Sequence, residues 1–230
     1  MQKIALENNL SETAFIKEVS KNRYEIRWFS PMIEIDFCGH ATLAASFVLF
    51  NYFNCTGEIE YLAQNVGSLI VTHLNDTRIE MNFPIQNPEM IELIPDSLRN
   101  GLSIKPIEVL KNRQAYFAVM ASEDDVLNIT YKSEQLKKLA PFDVVVTAKG
   151  GRYDFISRYF WPANGGDEDP VTGSIHSGLT PYWASKLSKT SMTAYQASNR
   201  GGILFCKMVK DRVLVSGYGV LYLQGNIYIY

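Results

Sequence analysis

The chain has 230 residues, 47% of them hydrophobic, with 22 Lys and Arg against 24 Asp and Glu and a formal net charge of -2. That apolar content excludes a disordered chain, and the lack of a basic surplus argues against nucleic acid or an anionic lipid surface as partner. The opening segment MQKIALENNL is too polar for a signal peptide, and the longest nearly apolar run, residues 41–50, is too short to span a bilayer. Three scattered cysteines, Cys38, Cys55 and Cys206, read as reduced thiols, so a cytoplasmic protein is expected.

In chain order, residues 2–9 pattern as a helix. Short β-branched or aromatic runs at 13–17 and 24–29 predict strands, followed by an apolar helix over 40–53 and strands at 59–62, 68–74 and 78–83. Asn100-Gly101-Leu102-Ser103 reads as a turn between two halves. Two strand-like runs, 107–110 and 115–120, then precede a helix at 133–139. Strands at 144–148 and 153–160, a helix at 174–187, and strands at 192–196, 203–209 and 212–216 complete the series.

The second series repeats the first. Tyr61-x-Ala63-x-Asn65-x-Gly67 recurs as Tyr195-x-Ala197-x-Asn199-x-Gly201, an offset of 134 positions that also relates Arg78 to Arg212 and Gly39 to Gly173. Upstream, Arg27-Trp28-Phe29-Ser30-Pro31 matches Arg158-Tyr159-Phe160-Trp161-Pro162 at an offset of 131, so the second half carries three extra residues before its glycine. The expected fold is α/β (α+β) with two pseudo-symmetric halves, residues 1–103 and 104–230. Each half wraps a mixed, mostly antiparallel sheet around one central helix. The first half starts directly with its helix and lacks a counterpart to the strand pair at 107–120.

The repeat frames three polar segments: Cys38-Gly39-His40-Ala41-Thr42, the segment from Glu168 to Ser174, and Ser11-Glu12. Two of them lie where the central helices should start. Helix starts offer unpaired N–H groups and a partial positive charge, and glycine lets a ligand approach the backbone. Two such ends facing each other would hold a carboxylate or an enolate-like oxyanion. Ordinary capping by Thr172, Ser174 and Asp169 is the competing reading. The helix dipole should keep His40 neutral near pH 7, and its partner in the second half is Ser174. Glu12 and Asp169, if close, would push one carboxyl upward toward an acid/base role. The Cys and His spacings offer no usual metal-ligand pairing beyond Cys38-x-His40.

The segments ENNLSETAF, DFCGHATLAA, DEDPVTGSIHSGLTPYW, SRYFWP and QASNRGG together resemble the PhzF-like family of phenazine biosynthesis, with similarity from Gln2 to nearly the C-terminus. The resemblance implies a diaminopimelate-epimerase fold and a cofactor-independent, metal-free acid/base isomerisation of a small carboxylated metabolite. It assigns proton transfer to Glu12, and assistance or substrate orientation to His40 and Asp169. It places Gly39, Ala41, Thr42, Thr172, Gly173 and Ser174 around the substrate. Thiol epimerases of that fold use a cysteine where this chain has Cys38, and their second cysteine falls at Val171 or a neighbour. The family's first strand hairpin is missing upstream of residue 2, which predicts an over-solvated Glu12 and a homodimer that covers the exposed sheet edge. A metabolite-binding remnant without catalysis and a structural subunit are the alternative readings.

Overall fold

The computed structural model describes residues 1–228. The first half runs α1 (Gln2–Asn8), β1 (Thr13–Ser20), β2 (Arg23–Phe29), β3 (Glu34–Ile35), α2 (Gly39–Tyr52), β4 (Glu58–Ala63), β5 (Gly67–His73) and β6 (Ile79–Pro84). A connecting region holds β7 (Glu89–Met90), α3 (Asp96–Gly101), β8 (Glu108–Lys111), β9 (Ala115–Val119) and α4 (Glu123–Asn128). The second half continues with α5 (Ser133–Leu136), β10 (Asp143–Lys149), β11 (Phe155–Phe160), β12 (Glu168–Asp169), α6 (His176–Leu187), β13 (Ser191–Gln196), β14 (Gly202–Val209) and β15 (Arg212–Gly217).

All strands join one 15-stranded sheet in the order β1-β2-β4-β5-β6-β15-β14-β13-β11-β10-β9-β8-β7, with β3 on β2 and β12 on β11. The path through β6 is the mirror of the path through β15. Only β2–β4, β11–β13 and β10–β9 pair in parallel. The first two of these pairs enclose α2 and α6, as a crossover between parallel strands requires. The pseudo-symmetric halves expected from the repeat are therefore present as equivalent strand orders. They meet at an antiparallel seam from Ile79↔Gly217 to Pro84↔Arg212.

Local patterning explains these choices. Strand β2 alternates, with Tyr24, Ile26 and Trp28 buried and Arg23, Glu25 and Arg27 exposed. Strands β9 and β10 are buried on both faces, because α3, α4 and α5 cover their far side with Leu98, Val126 and Leu136. The main core contains Trp28, Tyr61, Phe117, Phe155 and Trp183 and draws on both halves. Each short hairpin strand is clamped by a two-pronged ion pair: Arg27 Nε and Nη2 to Glu34, and Arg158 Nε and Nη2 to Glu168.

Three details differ from expectation. Helix α6 starts at His176 rather than Ser174. Residues 173–175 instead form a tight turn, with His176 N–H bonded to Gly173 O and Ser177 N–H to Ser174 O. The helix at 133–139 ends at Leu136 and tightens into a 3₁₀ turn over Lys137–Leu139. The apolar helix read over 40–53 ends at Tyr52, and Tyr52 and the following Phe53 are exposed. Among the described residues β9 flanks β10, whereas β1, the equivalent of β10, stands at the end of the sheet order. Among the described residues, no helix is long and apolar enough to cross a membrane.

Candidate active site

Gly39 is the first residue of α2, and a Cβ built on it would lie 3.5 Å from both Gly173 Cα and Ser174 N. The start of α2 and the turn before α6 thus abut backbone to backbone. No well-formed side-chain bond caps α2 at Cys38, so the Gly39 amide keeps its donor capacity, while the Ala41 N–H lies toward the Cys38 thiol. Thr42 is already committed. Its N–H and hydroxyl both go to Cys38 O, and its oxygen accepts the Trp28 indole N–H at 3.1 Å.

Glu12, just ahead of β1, reaches this junction. Its Oε2 lies 2.8 Å from His40 Nε2. The approach is that of an ion pair rather than an aligned hydrogen bond, because Oε2 is buried and receives no well-directed donor. Ser11 Oγ is 3.3 Å from the same nitrogen, and Cys38 Sγ is 3.6 Å from the ring. The Glu12 side chain is only 9% exposed, which corrects the expectation of an over-solvated carboxylate.

The electrostatics correct a second expectation. Burial opposes the His40 imidazolium, but Cys38, Glu12 and Asp169 outweigh it and hold its pKa well above the usual histidine value. Burial also raises the Cys38 thiol. The upward shift of His40 runs against the direction that the helix dipole alone would give. Burial would raise Glu12 too, yet His40, Ser11 and Cys38 hold it below the usual carboxylate value. Asp169 moves the other way: burial, helped by the Glu12 charge, raises it against the pull of His40 and Thr172.

Asp169 is 9% exposed and accepts the Thr172 hydroxyl at 2.5 Å. The buried Gln196 at the end of β13 fastens the loop. Its Nε2 donates to Asp169 O at 2.7 Å, and its Oε1 accepts Thr172 N–H at 2.8 Å. Thr172, like Thr42, spends its polar groups on structure. Thr172, the neighbour of Val171, occupies the place of Cys38 in the second half, 134 positions on. The site therefore has one thiol, and that thiol is held protonated. Ligand-type atoms of Glu12, Cys38 and His40 lie within 4.8 Å of one another, a set of O, S and N donors that could hold a cation.

Sequence reasoning named Glu12, His40 and Asp169 and missed their supports. Gln196 sits in the QASNRGG segment but was not singled out. Gln114 Nε2 donates to Ser174 Oγ at 2.9 Å and to Tyr159 Oη at 3.0 Å, and the Tyr159 hydroxyl donates to Asp143 Oδ2 at 2.6 Å. The 131-residue offset was the available signal, since it sets Asp143 opposite Glu12.

The profile of the family described as phenazine biosynthesis-like protein matches residues 1–225. The chain belongs to that family. A relative from Pseudomonas aeruginosa, described as the uncharacterized isomerase PA3578, is 42% identical over 228 residues, 99% of this chain and 86% of its own length. The crystal structure of a PhzF family phenazine biosynthesis protein from Enterococcus faecalis superposes with a TM-score of 0.93 at 42% identity, over 99% of this chain and 86% of that one. A hydroxyproline epimerase from Agrobacterium vitis shares the fold alone, with a TM-score of 0.54 at 9% identity, over 92% of this chain and 72% of its own. The phenazine biosynthesis-like chain described here is accordingly a member of a family of isomerase-type enzymes.

Proposed function

We propose that this chain catalyses a cofactor-independent acid/base isomerisation of a small carboxylated metabolite bound between its two halves. The observation that carries this reading is the Glu12 carboxyl, its pKa lowered, held 2.8 Å from His40, whose pKa is raised, where two amide-bearing turns meet at Gly39 and Gly173. Glu12 takes a proton from carbon, which breaks one C–H bond. The electron pair left behind delocalises into the substrate, and the amides and the imidazolium stabilise the negative charge. Glu12 then returns the proton to another carbon, or to the opposite face of the same one. One C–H bond is lost and one is made, so no electron acceptor is needed. Asp169, its carboxyl raised above the usual value by burial, supplies a second acid/base group beside the same substrate. The same reading assigns a cytoplasmic homodimer paired along β1, which light scattering tests.

The test is deuterium uptake at carbon when candidate carboxylated metabolites are incubated in deuterated water. Wild type should exchange and Glu12→Gln should not. Tight binding without exchange would favour a metabolite-binding protein instead, and neither binding nor exchange across the panel would sink the reading.

A further inference from the structure

Register aligns the two halves residue by residue. Thr13 pairs with Phe29, and Val144 pairs with Phe160. The residues just before them, Glu12 and Asp143, are thus equivalent, 131 positions apart, and the 134 offset makes His40 equivalent to Ser174. In the first half the carboxylate touches its partner directly, Glu12 to His40 at 2.8 Å. In the second half two neutral side chains stand between the equivalent groups, giving Asp143–Tyr159–Gln114–Ser174. Gln114 comes from the turn between β8 and β9. Asn112 holds it by accepting its backbone N–H at 2.8 Å.

The chain has a fixed polarity. Asp143 is an acceptor on both oxygens: Oδ2 takes the Tyr159 hydroxyl, and Oδ1 takes Asn164 Nδ2 at 2.8 Å. That nitrogen also donates to Pro141 O at 3.3 Å, so the Asn164 amide cannot turn over without losing a bond. Having given its proton to Asp143, Tyr159 can only accept from Gln114 Nε2. The other Nε2 proton then goes to one of the two lone pairs of Ser174 Oγ, which leaves the hydroxyl's own proton to point elsewhere. Ser174 N lies at the Gly39 junction, beside the amides already described.

We infer that Asp143 is a positioning residue that, through Tyr159 and Gln114, fixes the Ser174 hydroxyl as a hydrogen-bond donor toward the substrate carboxylate. The pseudo-symmetric pair has thereby been divided: one half moves the proton and the other orients an anion. The inference rests on the proposed isomerase reading for its substrate, but the polarity of the network does not.

Asp143→Asn tests it. An asparagine cannot accept from both Tyr159 and Asn164, so the polarity is broken while the shape is kept. With a substrate identified by exchange, KM should rise about 10-fold with kcat little changed, the size expected for a hydrogen bond to a charged group. Ser174→Ala should cause a similar rise, and adding Asp143→Asn to it should bring no further loss. Additive effects, or a fall in kcat alone, would overturn the inference. If Glu12→Gln retains full exchange while this pattern holds, the proton-carrier reading fails and the network stands. A second readout needs no turnover: the Gln114 side-chain amide protons should be protected from solvent exchange in wild type and lose that protection in Asp143→Asn and in Tyr159→Phe. Unchanged protection in both variants would also overturn it.

Discussion

Thr42 and His176 occupy equivalent places at the starts of the two central helices and make the same bond. Thr42 Oγ1 donates to Cys38 O at 2.7 Å, and His176 Nδ1 bonds Thr172 O at 2.8 Å. A carbonyl only accepts, so Nδ1 carries the proton. Nε2 is then a bare acceptor, buried and without a partner. Burial drives the His176 pKa down to about 4.

His176→Thr should therefore keep the fold, with near-native stability at neutral pH, and remove an acid sensitivity. The unfolded chain binds a proton at His176 near pH 6.5 and the folded chain only near pH 4, so stability falls as pH drops through that window. The loss amounts to about 3 kcal/mol by pH 4. Denaturation of the variant between pH 7 and 4 should lack this slope. An identical slope in wild type and variant would refute the assignment.

The Glu12–His40 pair predicts a different window. Glu12 has a lowered folded pKa, so its contribution is complete above about pH 4.5 and fades as pH falls below it. His40 has a raised folded pKa, so its contribution is complete below about pH 6.5 and is lost as pH climbs through the folded value. His40→Asn should thus lower Tm most between these limits, and the difference from wild type should shrink in alkali. Each 1 kcal/mol reads as about 2–4 °C for a chain of this size. In the exchange assay it should cost less than Glu12→Gln, whose loss is about 10²–10⁴-fold.

The framework of halves, strands and central helices was legible because it is carried by repeated glycines, tyrosines and arginines and by period-2 burial. The start of α6 was not, because the tight turn after Gly173 depends on the Gln196 contacts to the 169–172 loop, 24 or more residues away. Glu12, His40 and Asp169 came from motifs, but the raised pKa of His40 did not. Besides Cys38, it depends on two carboxyl groups that are distant in sequence and adjacent only once folded. The Asp143 network joins β10, β11 and the β8–β9 turn, so no local pattern announces it.

At the glycine junction, size should separate folding from binding. A single added methyl at Gly39 meets ordinary van der Waals distances, so Gly39→Ala should fold with a Tm close to wild type. The methyl would nonetheless lie against Ser174 N and obstruct that amide, so KM should rise. Gly39→Val pushes further atoms into the Gly173 backbone and should destabilise the chain by about 1–3 kcal/mol, measured by denaturant titration.

The two Arg–Glu clamps are equivalent in place and unequal in burial. Arg27 and Glu34 side chains are 44% and 40% exposed, against 15% and 18% for Arg158 and Glu168. Arg158 Nη1 also donates to Ile129 O at 2.8 Å. Arg27→Ala should cost about 0–1 kcal/mol and Arg158→Ala about 3–5 kcal/mol in chemical denaturation. Equal costs would mean that burial does not set the worth of these pairs.

The seam between β6 and β15 has a mechanical consequence. Six register pairs bind the halves edge to edge, and Arg212 adds bonds to Asn82 Oδ1 at 2.6 Å and Asn82 O at 2.9 Å. Parting the halves along that line would break these backbone pairs and open a core to which both halves contribute. The seam thereby ties the spacing between Glu12, from the first half, and Asp169, from the second, to the backbone ladder.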